Sequence, residues 1–408
     1  MDSGKRIILL GDGMPDRPIE QLGGKTPLQV AKTPNMDRMA NEGTVGYVNT
    51  VPEELPPGSD VTNMGLIGYD PTVYYTGRAP IEAAGMHIPL AKKDIAYRCN
   101  LVTLTPNADG VFMDDFAAGH VSSEDAAELI KALNDYFGLK DIVFHAGVSY
   151  RHLMIWKGGS EDAETTPPHD ITGKNVRDHL PKNGNEKTAT KLREIMNETQ
   201  IVLKNHPINK SKRDKNSPEA NSVWLWGQGK APSMPKLEKL HGISSAMISA
   251  VDLMKGLAVL AGMEVINVEG ATGFIDTNYE GKCNAAIKSL GEKDFVYIHL
   301  EAPDESGHQG SIENKIKAIE DFDLKIVGPL MDEIKKLNGK AMVLSDHPTP
   351  TELMTHTSDP VPYAIWPPLP EADSTNSASS FDESIIEAEG SLHFTEGFLL
   401  FERFIKKA

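Results

Sequence analysis

The sequence predicts an α/β fold: a mostly parallel sheet flanked by helices, with a smaller α+β domain inserted into it. Three observations predict it. Short apolar runs alternate with helical patterns at both ends of the chain, as parallel strands joined by helices require. The middle third loses that alternation. At 408 residues the chain is also too long for one small core, so two domains are expected.

Taken in order, Arg6-Ile-Ile-Leu-Leu10 is an apolar run stopped by Gly11 and reads as a buried strand. Thr33-Pro34 supplies an N-cap and a first-turn proline, Met36, Met39 and Ala40 recur at helical spacing, and Gly43 closes that helix. Late in the chain, Phe295–Leu300 reads as a strand, Ile312–Leu337 as a helix of alternating charge, and Ala341–Ser345 as a further strand. Val361–Trp366 is another short apolar run and Gly397–Ile405 a terminal helix. Between them, Tyr97–Leu104, Val143–Phe144 and Leu153–Trp156 look like hairpin strands, and Asn205–Asn216 is basic and polar. The expected division is therefore 1–90 with 240–408 for the first domain and 91–239 for the insert. Glu371–Glu383, rich in Ser, Asp and Asn, is expected to be a solvated surface loop.

Composition narrows the function. The formal net charge is −17, which argues against a nucleic-acid partner, since that needs a basic footprint. An anionic small molecule is still compatible, because metal ions and a few basic side chains reverse the field inside one cleft. No segment has the roughly 20 apolar residues that span a bilayer, nor a secretory leader, so neither a membrane partner nor export is expected and the cytoplasm is the default location. Cys99 and Cys283 are far apart without a CxxC pattern and are expected to be two reduced, buried thiols. No stripe marks an oligomer interface.

Chemistry concentrates where the strands end. Asp12, Asp304 and Asp346 each stand just after an apolar strand, and open parallel sheets bind ligands beyond the carboxyl ends of their strands. One such Asp could be a turn or cap residue; three in the same context point to one rim. Histidines accompany them: His308 four residues after Asp304, His347 beside Asp346, and His356 ahead of Thr-Ser-Asp-Pro. Carboxylate with imidazole suits Zn²⁺, Mn²⁺ and similar cations better than Ca²⁺, which prefers oxygen alone. Pro56-Pro57-Gly58 is a stiff turn that delivers Ser59 to a helix start. A serine there is commonly only an N-cap. Aimed at metal ions, it becomes a nucleophile whose hydroxyl pKa the metal lowers, with a helix N-terminus favouring phosphate.

Gly11-Asp-Gly13, the Ser59 turn, Asp304-Glu-Ser-Gly-His308, Asp346-His347 and His356-Thr-Ser-Asp-Pro occur in the order found in the alkaline phosphatase superfamily. The chain resembles more closely its archaeal-type, cofactor-independent phosphoglycerate mutases. Gly24-Lys-Thr-Pro-Leu-Gln29, Thr33-Pro-Asn-Met-Asp37, Gly68-Tyr-Asp-Pro71, Tyr75–Ala83 and Gly270–Tyr279 extend the likeness over nearly the whole length. The resemblance implies an alkaline-phosphatase-like fold and two divalent metal ions. One would be held by Asp304, His308 and His356, the other by Asp12, Ser59, Asp346 and His347. Mn²⁺ is the leading expectation, and Mg²⁺, Zn²⁺ and Co²⁺ suit the same ligands. It further implies that Ser59 is the catalytic residue, carrying the phosphoryl group between the positions of 3- and 2-phosphoglycerate as a phosphoserine, with no bisphosphoglycerate primer.

The substrate grip is expected from Arg78, Arg151, His169, Asp170, Lys255 and Lys282 in matching motifs. Arginine would provide a bidentate hold and lysine a point charge; His169 or Asp170 would move protons. Asn221–Gly229 is similar to a bacterial branch proposed to contain homoserine kinases, so phosphotransfer to homoserine or another small metabolite, or a metal-dependent phosphatase, stands as the alternative. A kinase would need a nucleotide site, and neither a P-loop nor a convincing GxGxxG is present.

Overall fold

The structure, a computed structural model, describes residues 4–138, 140–370 and 377–406. Its strands, in chain order, are β1 (Arg6–Gly11), β2 (Thr44–Val48), β3 (Ile95–Asn107), β4 (Gly110–Asp115), β5 (Ile142–His145), β6 (Arg151–Trp156) and β7 (Ser222–Gly229), followed by β8 (Ser245–Ile248), β9 (Glu264–Ile266), β10 (Phe295–Leu300), β11 (Lys340–Leu344), β12 (Val361–Trp366) and β13 (Leu392–Phe394). The chain divides into two compact units, Met1–Tyr75 with Ser233–Ala408, and Thr76–Pro232.

Unit 1 is built on an eight-stranded sheet of order β13-β2-β12-β11-β1-β10-β8-β9. Strands β11, β1, β10, β8 and β9 are mutually parallel, while β12 runs antiparallel to both β11 and β2. Every residue of β1 and of β10 is buried, which explains why both read as unbroken apolar runs rather than alternating ones. Helices cover the sheet; one face holds Met36, Met39, Phe322, Leu330 and Ile334 against Ile7, Leu9, Val296 and Val343. Among the described residues no helix is long and apolar enough to cross a membrane.

The long helix expected over Ile312–Leu337 is three segments: Ile312–Phe322, a π turn at Asp323–Val327, and Gly328–Lys336. Pro329 has no N–H to continue the i→i−4 ladder, and the wider π turn takes up the break.

Unit 2 is an α+β body. Its five-stranded sheet has order β4-β3-β6-β5, with β7 also paired to β3, and all pairings are antiparallel. Helices Ser123–Phe137 and Glu186–Asn205 bury Leu129, Leu133, Leu192 and Ile195 with Tyr97, Phe144, Met154 and Trp224 of the sheet.

Unit 2 begins some 15 residues before the expected boundary at 90/91. The helix Arg78–Gly85 packs Ala79 and Ala83 against Ala96, Leu153 and Ile155, so its apolar face belongs to this sheet. At the other end, residues 233–239 go with unit 1, where Tyr69 Oη–H donates to Pro235 O (2.7 Å) and Lys236 Nζ donates to Val259 O and Leu260 O.

The loop expected at Glu371–Glu383 is corrected in part. Residues 371–376 lie outside the described residues. Beyond them Phe381 is 1% exposed in the core of unit 1 and Asp382 is buried, so polar composition hid one aromatic anchor.

Candidate metal centre and phosphoryl-transfer site

Strands β11, β1 and β10 are neighbours at the middle of the unit 1 sheet, and all three run the same way. Asp12 follows β1, Asp346 follows β11, and Asp304 lies in the first turn of the helix Ala302–His308 that follows β10. Three carboxylates far apart in sequence therefore meet on one rim, all three buried. Close backbone approach makes this possible. Gly13 has φ +63°, and a Cβ there would lie 2.5 Å from Thr349 Oγ1 and 2.8 Å from Asp304 Oδ1. A Cβ on Gly307 would lie 2.4 Å from the Thr349 carbonyl.

Ser59 is the first residue of the helix Ser59–Leu66, whose N-cap is Gly58. Its hydroxyl caps nothing and lies 3.2 Å from His347 Nε2. His347 Nε2 is 3.6 Å from Asp12 Oδ1 and 3.3 Å from Asp346 Oδ2. The His347 and His356 rings lie with centroids 3.9 Å apart. His356 Nε2 and His308 Nε2 are 2.9 Å from each other and 3.4 and 3.3 Å from the Asp304 oxygens. All seven sequence-predicted residues of the centre are thus brought together.

The hydrogen bonds assign the histidine tautomers. His308 Nδ1 faces Met354 O at 3.0 Å and His356 Nδ1 faces Pro57 O at 3.5 Å, so each carries its proton there, toward a carbonyl. Thr349 Oγ1 donates to Asp304 Oδ1 (2.5 Å) and can only accept from His347 Nδ1 (3.3 Å). All three rings therefore turn Nε2 toward the carboxylates; His347 is neutral there, while for His308 burial is outweighed by the hydrogen bond to Asp304, which raises it to about 9, so that without a metal ion a proton stands between the two. Nitrogens and carboxylate oxygens crowded this closely need a cation among them, a proton or a metal ion, and a hydrogen-bond partner on the far nitrogen is the usual arrangement of a metal-binding imidazole. Asp12 Oδ1 is buried and has no hydrogen-bond partner among the described residues, and a metal ion would supply a partner. Asp304, His308 and His356 form one group with ligand atoms within 4.8 Å of one another, and Asp12, Asp304 and His347 form another. The residues fit divalent metal ions.

Titration follows the same geometry. Burial, then the Asp346 charge, raise the Asp12 carboxyl well above its ordinary range. Burial also pushes His347 down to about 4, keeping it neutral. Asp304 goes the other way: burial opposes its charge, but hydrogen bonds from His308 and His356 prevail and hold it well below the usual value.

Several supporting residues escaped the sequence reading. Asn63, one helical turn after Ser59, donates from Nδ2 to Asp346 Oδ2 (2.8 Å) and to Ser59 O (3.0 Å), and accepts from Tyr297 Oη–H (2.5 Å). His299 Nε2–H donates to Asp12 Oδ2 (2.8 Å). Its Nδ1 lies 3.1 Å from Ser249 Oγ, which already accepts from Val251 N–H and so has its own hydrogen to give. His299 is thus neutral with its proton on Nε2, and burial holds its pKa near 3. Glu301 completes a third group with Asp12 and His299. The signal was available: Tyr297 and His299, two residues apart in an otherwise apolar strand, point to the same face.

The expected substrate residues separate by unit. Lys282 is buried in unit 1, donates to His299 O (3.3 Å), and burial pushes its ammonium down to about 8, with Lys255 and Glu301 close enough to be felt. Lys255 itself pairs with Asp252 at 3.5 Å. Arg78, Arg151, His169 and Asp170 belong to unit 2. There Glu82 bridges Arg78 and Arg98, each Nε 3.1 Å from one carboxylate oxygen. The Arg98 guanidinium lies 4.4 Å from the Trp226 ring centre, and the same indole packs edge-on against His169 at 5.4 Å. Arg151 stacks on Tyr150 at 5.5 Å, and His169 Nε2 is 3.7 Å from Asp170. Arg98, a buried arginine inside an apolar strand, was missed.

Comparison with known proteins places this arrangement. A family profile described as 2,3-bisphosphoglycerate-independent phosphoglycerate mutase matches residues 40–209. The chain is 50% identical over 396 residues to the 2,3-bisphosphoglycerate-independent phosphoglycerate mutase of Methanothrix thermoacetophila, covering 96% of this chain and 97% of that one. It is 48% identical over 382 residues to the enzyme of the same name from Methanosarcina barkeri, covering 93% and 94%. Among solved structures, a Pyrococcus horikoshii protein superposes with TM-score 0.81 at 29% identity over 99% of this chain and 98% of that one. The cofactor-independent phosphoglycerate mutase of Thermoplasma acidophilum gives 0.63 at 26% identity, covering 98% of each. The chain belongs to the family of 2,3-bisphosphoglycerate-independent phosphoglycerate mutases.

Proposed function

We propose that the chain interconverts 3-phosphoglycerate and 2-phosphoglycerate through a phosphoserine at Ser59. The observation that carries this reading is the convergence of three imidazole Nε2 atoms and three buried carboxylates on one rim, with the Ser59 hydroxyl 3.2 Å from His347 Nε2. Asp304, His308 and His356 would hold one divalent metal ion, and Asp12, Ser59, Asp346 and His347 the second, with Mn²⁺ the leading candidate. When bound, the ions lower the serine pKa and offset charge on the phosphoryl oxygens.

In the forward direction a bond forms from Ser59 Oγ to phosphorus as the bond to O3 of the substrate breaks, and the freed glycerate hydroxyl takes up the proton that serine gives up. The glycerate re-orients, its other hydroxyl forms a bond to phosphorus as the bond from phosphorus to Ser59 Oγ breaks, and the proton that hydroxyl gives up restores the serine. Two in-line transfers give net retention at phosphorus. The N-terminal end of the helix Ser59–Leu66 favours the transferring phosphate. Lys255 and Lys282 are assigned to the phosphate; Arg78, Arg98 and Arg151 to the glycerate carboxylate; and His169 and Asp170 to proton movement. Two buried free cysteines agree with a reducing, cytoplasmic setting.

Mutase is preferred to nucleotide-dependent phosphotransfer because the two relatives compared above carry mutase names. The test is an enolase-coupled assay of purified protein with Mn²⁺ and 3-phosphoglycerate, alongside intact-mass analysis of quenched enzyme. Turnover without added bisphosphoglycerate or ATP, lost in Ser59→Ala together with a phosphate adduct on Ser59, is the expected result. No turnover with any of Mn²⁺, Mg²⁺, Zn²⁺ or Co²⁺, or full activity in Ser59→Ala, would overturn it.

A further inference from the structure

Lys315 stands on the helix Ile312–Phe322, outside the seven residues of the centre, and its side chain is fully buried. Its ammonium donates to Pro15 O (3.1 Å) and Thr349 O (2.8 Å) and pairs with Asp16 Oδ2 (2.9 Å). An ammonium has three donors, and all three are spent. Pro15 lies on the loop that carries Asp12; Thr349 lies on the loop that carries Asp346 and His347. The helix bearing Lys315 follows directly on the helix of Asp304 and His308. One charged group therefore ties together the chain segments that present five of the seven residues.

The tie is reinforced on both sides. Asp16 Oδ2 also accepts from Thr351 N–H (3.0 Å), and Thr349 N–H donates to Pro15 O (3.3 Å). Thr349 then passes the constraint outward, because its hydroxyl orients Asp304 and its acceptance from Nδ1 fixes the His347 tautomer. A buried ion pair is seldom retained for stability, since apolar residues of the same volume serve as well or better. What an apolar pair cannot do is hold two carbonyls and a carboxylate at fixed directions.

We propose that Lys315 is a positioning residue for the metal centre: its ammonium sets the register of the Pro15 and Thr349 loops, and through Thr349 the aim of Asp304 and His347. This rests on the two-metal reading given above. It predicts a role in metal affinity for a residue that touches neither metal ligand atoms nor substrate.

The test uses the full chain stripped of metal, with Mn²⁺ binding read by equilibrium dialysis and activity read as a function of free Mn²⁺. Lys315→Met is paired with the double variant Lys315→Met/Asp16→Asn, which leaves no unpaired buried carboxylate. Lys317→Met, an exposed change on the same helix, is the control. The proposal expects the double variant to fold and to bind Mn²⁺ at least ~10-fold more weakly, the usual scale for losing an outer-shell support, with kcat at saturating Mn²⁺ changed much less. Wild-type affinity in a folded double variant would overturn it. So would a double variant that cannot fold, because support of the fold would then be the lysine's role. A wild-type protein that takes up no Mn²⁺ would instead sink the two-metal reading itself.

Discussion

Asn63 offers the sharpest test of how the centre is supported. The side chain is fully buried and makes three hydrogen bonds, to Asp346, to the Ser59 carbonyl and from Tyr297. Asn63→Leu keeps the branched shape, with somewhat bulkier ends, and removes all three. The Tyr297 hydroxyl is left without that acceptor, and among the described residues Asp346 Oδ2 keeps Thr62 Oγ1 at 3.3 Å, whose one hydrogen also faces Gly58 O, and His347 Nε2 at 3.3 Å. A buried group deprived of its partner costs about 1–3 kcal/mol, more when charged, so the metal-free variant should lose roughly 3–5 kcal/mol. Metal affinity should fall ~10–100-fold, because Asp346 is no longer held in place. The assay is a thermal melt of the stripped protein followed by Mn²⁺ titration of its melting temperature. Tyr297→Phe, which removes one donor and leaves Asp346 its amide, should show a smaller loss of stability and near-normal Mn²⁺ response. An Asn63→Leu protein that melts and binds Mn²⁺ like the wild type would refute the reasoning.

Three further outcomes follow from other parts of the molecule. Burial holds His152 near pKa 3, against an ordinary value of about 6.5, so the folded form binds fewer protons than the unfolded form in acid. Its stabilising contribution is complete above pH ~6.5 and is lost as pH falls toward 3, about 2 kcal/mol being gone at pH 5; His152→Gln should flatten that slope in urea unfolding at pH 7.5 and 5. Phe381→Ala should cost about 3–5 kcal/mol by emptying a core position, read as a lowered melting temperature. Lys282→Met should raise KM for 3-phosphoglycerate ~10–100-fold, the worth of one charge-assisted hydrogen bond, while leaving Mn²⁺ affinity within about threefold.

Asp12, Asp304 and Asp346 drew notice in the sequence because each follows an apolar strand, and Ser59 because it follows a proline-stiffened turn; His308, His347 and His356 drew notice by their spacing from those acids and by the family resemblance. Their supports could not be read so easily. Thr349 and Lys315 look like ordinary polar residues until the loops fold onto them, and the value of Lys315 lies in two carbonyls that no side-chain pattern encodes. Asn63 and His299 were legible in principle, one helical turn from Ser59 and two strand residues from Tyr297, and were passed over as background. Phe381 was hidden in the opposite sense, since Ser and Asp neighbours outvoted a single aromatic whose burial only packing reveals. The domain boundary moved because the helix Arg78–Gly85 carries small residues, and Ala79 and Ala83 do not announce which sheet they cover.

The position of β1 has a consequence for how the molecule is made. Its hydrogen-bonded neighbours are β10 and β11, strands that leave the ribosome roughly 290 and 330 residues later. Until then β1 is an apolar segment with both edges open, while the continuous stretch Thr76–Pro232 can already close its own antiparallel sheet. Joining such distant strands must overcome a large loop-closure entropy, which makes this step late and slow. Asp12 consequently meets Asp304 and Asp346 only after most of the chain exists. A nascent or truncated polypeptide, however well its middle folds, has no centre with which to capture metal or substrate.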